Sequence, residues 1–538
     1  MLFRSEGEAD REGPAVPPQQ GARVELERPV VHLVQEEGGL WNYKRLFTPG
    51  GPKDPNKGPG FGDFIVADSV VVRGGTFTLT QPWHPADSLR GAARDSAVRY
   101  NLGLRARGGP EIRRRGGRFF ARTYRWTNIA VVSPYVRLAD RDSTGRRFVL
   151  ARVDADESDP PFRWRNVRGD VLLLGDTVWA RADHWDLPGS TGRGRAKIVF
   201  GGGLPVRYAV HVDGDSVSLR DVAWVYPTLP RTGGGRMALD IRNAPGNLRV
   251  LEYALSGMDV RTTKSRLTGA MTFAVGGPVL AIKDLALRAR PVDFDLLRAL
   301  AGGPFPYDFQ GTLTGTVHGP GGPLNRFRLD SADVTFADRH VPGAVSRVRG
   351  RGGLDILQPA NTKFRAFAVD AERIDIRSIR HLNPEFPELG GVVRGTAVLD
   401  SSYLDVRARD AVFTHVDGPG APTTVAGGGR VTFGEKVTTY DLVLDARPLS
   451  FTTLARSYPL LPVRGTFAGP VRVEGETTDL RVDARLTGAA GTMAFDGRVN
   501  ARGPVYAARG TFSTRPPPVM WAMPLTGSAP ISASTGFT

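Results

Sequence analysis

The sequence predicts a mainly β protein, an elongated repeating sheet with short helices at the corners of the repeats. Its 538 residues include 66 Gly and 41 Pro, a composition that favours many turns over long helices. Apolar and polar residues alternate in segments such as VRYAVHV at 206–212, which is the pattern of a half-buried strand. A corner motif rich in Pro and Gly also recurs four times at a nearly constant spacing, which indicates an array of similar units.

The corner motif is clearest in YPTLPRTG, from Tyr226 to Gly233, and in YPLLPVRG, from Tyr458 to Gly465. Two related segments, GGPFPYDFQG at 302–311 and NPEFPELG at 383–390, lie between them. The second prolines of the four copies are separated by 76, 81 and 75 residues. We therefore expect Tyr226 and Tyr458 to occupy equivalent positions, and we expect structural corners at Pro230, Gly233, Pro306, Gly311, Pro387, Gly390, Pro462 and Gly465.

A short helix of about two turns is predicted before each corner. Apolar residues occur there at helical spacing, as in Phe294 and Leu297. The prolines then end the helix, and the glycine allows the turn into the next strand. Each helix start is marked by a residue whose side-chain oxygen can accept a hydrogen bond from a backbone N–H: Ser218, Asp293, Asp375 and Ser450.

Strands are predicted between these helices, because DLVLDA at 441–446 and DLRVDARL at 479–486 alternate with a period of two. One face of the sheet should be apolar and the other polar. Gly-rich turns such as the one at 275–278 bound the strands, and we expect roughly five or six strands per repeat. At about 4.8 Å between strands, each repeat would then advance roughly 25 Å and four repeats roughly 100 Å.

These features predict the following division of the chain. A disordered or non-native start (1–24) precedes an N-terminal β element (25–84) and an insertion rich in Arg and aromatic residues (85–145). The groove repeats then occupy 146–233, 234–311, 312–390 and 391–465, followed by the start of a further repeat (466–515) and a truncated tail (516–538).

The most basic stretch of the chain is RRRGGRFFARTYRW, from Arg113 to Trp126. The net charge of the whole chain is +16, carried mainly by Arg, which leaves open whether the charge serves binding. The stretch fits a solvated loop that leads into an amphipathic strand. It also fits contact with a membrane surface, where Arg meets headgroups and Trp and Tyr prefer the boundary, or a site for single-stranded nucleic acid. We expect no nucleic acid among the partners.

The sequence offers no signature of an enzyme, and we expect neither catalysis nor a cofactor. Cysteine is absent, and the eight histidines are scattered, with His318 and His340 the closest pair along the chain. No zinc-binding spacing, phosphate-binding loop or nucleophile elbow occurs. GPGFGD at 58–63 is interpreted as a turn. No signal peptide or membrane span is predicted in the sequence.

Two segments near the start, LERPVVHLVQEEGGLWNYKRLF (26–47) and FIVADSVVVRGGTFTL (64–79), resemble the N-terminal element of the AsmA-like proteins. The helix, the corner and the segment 464–499 resemble the TamB branch, the translocation and assembly module proteins. So do three pairs of glycines: Gly311 and Gly315, Gly391 and Gly395, and Gly465 and Gly469. The resemblance extends from about residue 25 to 515. It depends on the order and the period of these features.

The resemblance implies a long curved sheet folded into a groove with a hydrophobic interior, often called a β-taco. It also implies a periplasmic location in the envelope of a bacterium with two membranes, a role in phospholipid transport to the outer membrane, and a role in outer-membrane protein assembly. The family's inner-membrane anchor and its C-terminal domain are missing here, so we expect this chain to be a fragment of a protein that carries the anchor.

The predicted function is therefore bridge-like lipid transfer, in which a hydrophobic groove shields phospholipid acyl chains between the two membranes. The expected partners are phospholipids, membrane surfaces and an outer-membrane assembly factor. One alternative is a scaffold for outer-membrane protein assembly and secretion, and another is a sealed β-solenoid without a ligand. Alternation alone selects the groove-facing candidates and leaves the opposite face open: Leu285, Leu287, Val369, Leu442, Leu444, Val482 and Leu486.

Overall fold

The computed structural model contains two compact units, Met1–Gly202 (unit 1) and Gly203–Thr538 (unit 2), and strands predominate in both, as predicted. The residues it describes are 22–37, 39–42, 66–85, 89–103, 111–115, 119–138, 145–158, 161–200, 205–223, 229–301, 308–434, 437–461, 463–489, 491–502 and 508–510.

Unit 1 begins with two strands that lie parallel to a third and continues as an antiparallel sheet. β1 and β2 both pair with β3, β3 pairs with β5 and β6, and β5 also pairs with β4 and β7. β7 to β10 then follow as a meander. The elements are β1 (Ala22–Glu27), β2 (Val30–Val34), β3 (Val66–Trp83), α1 (Gly91–Leu102), β4 (Glu111–Arg115), β5 (Phe119–Ser133), β6 (Tyr135–Arg137), β7 (Arg146–Glu157), β8 (Arg163–Leu174), β9 (Thr177–Leu187) and β10 (Ser190–Val199).

Unit 2 is a meander in which every strand is antiparallel to the next along the chain, from β11 to β27. Its first strands and helices are β11 (Arg207–Ser218), α2 (Leu219–Val222), β12 (Gly234–Ala244), β13 (Asn247–Arg261), β14 (Arg266–Val275), β15 (Ala281–Asp293), α3 (Phe294–Ala301), β16 (Gly311–Pro323), β17 (Phe327–Asp338), β18 (Val345–Asp355), β19 (Lys363–Asp375) and α4 (Ile376–Leu382). The remainder are β20 (Val392–Ser402), β21 (Asp405–Val416), β22 (Thr423–Phe433), β23 (Thr438–Ser450), α5 (Phe451–Ser457), β24 (Thr466–Glu476), β25 (Asp479–Gly488), β26 (Gly491–Val499) and β27 (Ala508–Gly510), with single 3₁₀ turns at Leu324–Arg326 and Pro359–Asn361.

The repeat consists of four strands followed by a helix. β12 to β15 lead into α3, β16 to β19 into α4, and β20 to β23 into α5. The expectation of five or six strands per repeat is therefore wrong, because the strands are 10 to 15 residues long. Four strands at about 4.8 Å correspond to an advance of about 19 Å per repeat. Unit 2 thus has the predicted repeating sheet with corner helices, a form consistent with an elongated groove.

The predicted corner helices are present, although α2 has only four residues. Hydrogen bonds at their starts confirm the predicted capping residues, which accept backbone N–H groups at 3.0 to 3.3 Å: Ser218, Asp293, Asp375 and Ser450. The next residue along the chain is buried in α2 and fully buried in α4, where it is Ile376. Pro230, Gly233, Gly311, Pro387, Gly390 and Gly465 lie at these corners, whereas Tyr226, Pro306, Pro462 and the stretch 58–63 lie outside the described residues.

Two glycines of the predicted pairs allow neighbouring strands to approach closely. Gly315 in β16 has φ +146° and Gly395 in β20 has φ +152°. A Cβ atom at either position would lie 2.0 Å from a backbone oxygen of the next strand, that of Asp333 or Val412. Glycine is therefore required at these positions for steric reasons, independently of any ligand.

Candidate functional site: an apolar row across unit 2

A row of apolar residues and glycines crosses twelve consecutive strands of unit 2 on one face. Register partners in an antiparallel sheet share a face, so the row can be followed from strand to strand. Between β20 and β21 a bulge interrupts the direct pairing, and Ala397 and Ala411 are buried on either side of it. This apolar row consists of Leu287, Val317, Ala332, Gly350, Val369, Ala397, Ala411, Gly427, Leu444, Val471, Ala484 and Phe495.

Most side chains of the apolar row are only half-buried, and Gly427 is exposed. Four members of the row are buried instead: Ala397, Ala411, Ala484 and Phe495. Apolar surface that remains partly in contact with water is unfavourable by about 25 cal/mol per Å². The row therefore differs from an ordinary core and has the character of a surface that an apolar ligand can cover.

Two hydrophobic clusters lie on this face and share residues with the row. In the first, Phe327, Leu329 and Phe367 are buried, and Leu285 and Val369 pack against them. The second contains buried Phe467, Leu486 and Met493, joined by residues that include Phe451 of α5. The rings of Phe451 and Phe467 meet edge to face at 5.5 Å, so the corner helix contributes to this face of the sheet.

All seven groove-facing candidates from the sequence lie on the face of the apolar row. Leu287, Val369 and Leu444 belong to the row, while Leu285 and Leu442 lie two residues away on the same strands. Val482 lies on the same face, because it pairs in register with Val473, which in turn pairs with Leu442. Leu486 is only 1% exposed and lies in the buried part of the second cluster, against which half-buried Val482 also packs.

The opposite face is charged. In one ladder Asp333, Arg349 and Asp370 are register partners on β17, β18 and β19, and Arg349 lies 3.4 and 3.8 Å from the two carboxylates. Arg430 on β22 pairs with Asp405 at 2.6 Å. The ion pairs lower the pKa of Asp333, with Arg347 as the main cause, and Arg430 likewise lowers the pKa of Asp405. These carboxylates stay ionised, and this face stays wet.

The contrast between the faces is sharpest at two adjacent residues of β23. Leu444 lies in the apolar row and is half-buried, whereas Val443 is 58% exposed and pairs in register with Arg472. The alternative that the opposite face is the apolar one, which alternation alone leaves open, does not agree with this geometry.

Sequence reasoning missed the buried phenylalanines of the first cluster, Phe327 and Phe367, because bulges disturb the alternation of its strands. Phe364 and Phe367 lie on one side of β19 although they are three positions apart, since Ala366 between them has φ +46°. The backbone N–H of Ala366 donates to an Asp400 carboxylate oxygen at 2.7 Å. The only signal in the sequence is the density of phenylalanine at 364–367, which a strict period of two overlooks.

Comparisons of the chain with protein-family models, with curated proteins and with solved structures gave no match. Among the described residues, no three His, Asp or Glu side chains are grouped so that they could hold a metal ion. In the same part of the chain, no helix combines the length and the apolar composition needed to cross a bilayer.

Proposed function

We propose that this protein transfers lipids and that acyl chains lie along the apolar row of unit 2. The observation that carries the proposal is the continuity of the row: it crosses twelve strands without a charged residue, and most of its members are half-buried. An acyl chain on this face would remove apolar surface from water, at about 25 cal/mol per Å².

The mechanism that fits this surface is passive. The row contains Leu, Val, Ala, Phe and Gly, so it offers no fixed polar group that would hold a lipid at one point. Many similar contacts in series let an acyl chain slide without a deep minimum, while the headgroup remains in water. Direction and energy would come from other components.

The resemblance to the AsmA-like proteins and their TamB branch extends the proposal to a cellular setting. In that setting the protein is periplasmic, and the groove bridges the inner and outer membranes. An outer-membrane assembly factor is the protein partner that the resemblance suggests.

Site-specific photo-crosslinking tests the lipid proposal at matched positions. A photoreactive amino acid replaces Leu444 in one variant and its neighbour Val443 in another, in cells whose lipids are labelled with radioactive phosphate. We expect a lipid adduct at position 444 and none at 443. The same contrast should appear between Leu287 and exposed Ala286 on β15.

Equal adducts at both members of a pair would indicate non-specific membrane contact and would contradict the proposal. Absence of adducts at all four positions in a folded protein would favour a sealed solenoid or the assembly scaffold. Circular dichroism of each purified variant serves as the control for folding.

An assembly scaffold is the second candidate, and the edge of unit 1 favours it. β1 and β2 carry exposed apolar side chains, among them Val30, which is 62% exposed, and Leu26. In the described part of the chain, β3 is the strand with which both of them pair. Because the chain has no cysteine, a single Val30→Cys variant gives an unambiguous disulfide test. Crosslinks to cysteine-bearing strands of an outer-membrane protein, with none for Val443→Cys, would support this candidate.

A further inference from the structure

The region around α1, β4 and β5 carries a strong local excess of positive charge. Residues 84–126 contain eleven arginines and three carboxylates. Glu111, one of the three, is already paired with Arg113 at 2.8 Å and lies 3.9 Å from Arg125. Among the described residues, Arg94, Arg99, Arg114 and Arg115 are exposed, and their positive charge attracts anions over about a Debye length.

The helix α1 adds exposed side chains to this region and does not contribute to the core. None of its twelve residues is buried, and it lies beside β4. Arg94 and Arg99 are exposed, and so are two residues with large apolar surfaces, Tyr100 at 58% and Leu102. The exposed cations of α1 therefore add to the positive charge beside β4.

Arginines on β4 and β5 rest on aromatic rings. The guanidinium of Arg114 lies 5.4 Å from the Phe120 ring centre, and that of Arg122 lies 4.9 Å from the Tyr124 ring centre. The Arg114 guanidinium, stacked on the Phe120 ring, keeps N–H edges that can donate to a phosphate oxygen. The two neighbours of Arg114 on β4, Arg113 and Arg115, are also exposed.

The aromatic rings themselves are engaged with one another. Tyr124 stacks on Trp126 at 6.3 Å, and Phe120 meets Trp83 edge to face at 6.1 Å. Phe120 is buried, and Trp83, Tyr124 and Trp126 are partly buried, so these rings leave little surface for a stacked base, which is the main contact of single-strand binders. The arrangement therefore favours phosphate headgroups over nucleic acid.

We propose that α1, β4 and β5 dock unit 1 on an anionic phospholipid bilayer. Arg94, Arg99, Arg114 and Arg115 contact headgroup phosphates, and Arg113, whose Nε pairs with Glu111, adds to the positive field of the surface. The biological meaning of this docking rests on the proposed lipid transfer, because the bilayer would be the source or the destination of the lipid.

Vesicle flotation with the full chain tests the docking surface. The probes are vesicles of phosphatidylcholine alone and vesicles of equal parts phosphatidylcholine and phosphatidylglycerol. We expect binding to the second kind only, weakened by added salt. Replacing Arg113, Arg114 and Arg115 by Gln should reduce the affinity about a hundredfold, because each cation near an anionic surface contributes roughly a fivefold factor.

Two further variants keep the result interpretable. R94Q/R99Q alters only a helix that buries no residue, so it should fold normally and still reduce binding. The matched control is R288Q/R290Q/R394Q, which removes three exposed arginines from unit 2 and should leave binding unchanged. Equal losses in the control and the β4 variant would overturn the proposal in favour of net charge alone.

Other outcomes would also overturn it. Equal binding to uncharged vesicles would show apolar adsorption, and tighter binding to a short single-stranded DNA than to anionic vesicles would make the region a nucleic-acid site. The lipid-transfer proposal fails separately: its crosslinks at position 444 can be absent while vesicle binding persists, and the reverse result would refute only the docking surface.

Discussion

The two faces of the unit 2 sheet share the same strands but differ in how their side chains meet water. On the charged face, carboxylates and guanidiniums neutralise each other pairwise in contact with water, as Arg349 does with Asp333 and Asp370. On the opposite face the apolar row is left half-buried over most of its length. The charged face is therefore complete as it stands, while the apolar face gains stability from an apolar ligand.

The two faces also differ in how much they contribute to the stability of the fold. Exposed ion pairs contribute about 0 to 1 kcal/mol each, because water screens them. Burial of a leucine or phenylalanine side chain contributes about 1.5 to 3 kcal/mol. We therefore expect the two hydrophobic clusters to stabilise unit 2 and the charged face to keep it soluble.

The largest effect is expected from Leu486, which is 1% exposed in the second cluster. Leu486→Ala should lower the free energy of local unfolding of β24 to β26 by about 3 kcal/mol, because the transfer loss and the cavity add. Hydrogen–deuterium exchange of the peptides that contain these strands measures the change, since each unit of a repeat array depends mainly on its neighbours.

The neighbouring exposed residue on the charged face provides the control. Arg485→Ala should change the same free energy by less than about 0.5 kcal/mol. Similar losses for both variants would contradict the division of the sheet into a stabilising face and a solvated face.

A smaller effect is expected from the close approach at Gly395. Gly395→Ala should destabilise β20 and β21 by about 2 to 3 kcal/mol, because the new Cβ would lie 2.0 Å from the backbone oxygen of Val412. Gly343 also has positive φ, at +78°, but a Cβ added there would have no atom within 4 Å. Gly343→Ala should therefore cost only about 1 kcal/mol, the local strain alone.

Exchange rates of the peptides covering these strands distinguish the two variants. If both substitutions lowered the free energy of unfolding equally, the positive φ alone would explain why glycine occurs at positions such as 315 and 395. The close contact between strands would then not be needed.

The sequence was sufficient to predict the corners, because their chemistry is local. A capping residue such as Asp375, an apolar residue after it and a glycine at the exit lie within one short segment, and each acts on its immediate neighbours. The apolar face could also be predicted where strands alternate strictly, as at Leu442 and Leu444 in β23.

The strand count could not be predicted, because glycines and bulges inside strands resemble turns. Gly427, Gly428 and Gly429 form a run within β22, and Asp410 within β21 has φ +51°. Such breaks are compatible with a strand only when the neighbouring strands supply hydrogen bonds on both sides. The continuity of the apolar row likewise depends on register between strands, which no single strand encodes.

The smallest effect is expected at Glu252, a buried carboxylate on the charged face. It tests whether the carboxylates of this face are held as ion pairs. Its side chain is 4% exposed, and its oxygens lie 2.6 Å from Lys283 Nζ and 3.0 Å from Arg242 Nε. The hydrogen bond from Lys283 is the main reason that its pKa is lowered, against the opposing effect of burial; Arg242 adds to the lowering. Glu252→Gln should destabilise β12 to β15 by about 1 to 2 kcal/mol at neutral pH.

The sign of the pH dependence follows from the lowered pKa. The stabilisation is fully present above the unfolded value of about 4.3 and is lost as the pH falls through the folded value. The difference in local unfolding free energy between the wild type and Glu252→Gln should therefore stay constant from neutral pH to about pH 5 and shrink below about pH 4. Other carboxylates titrate in both proteins and cancel in this difference. A difference that grew on acidification would mean that Glu252 is held in its protonated form, and the charged face would then contain a buried neutral acid in place of an ion pair.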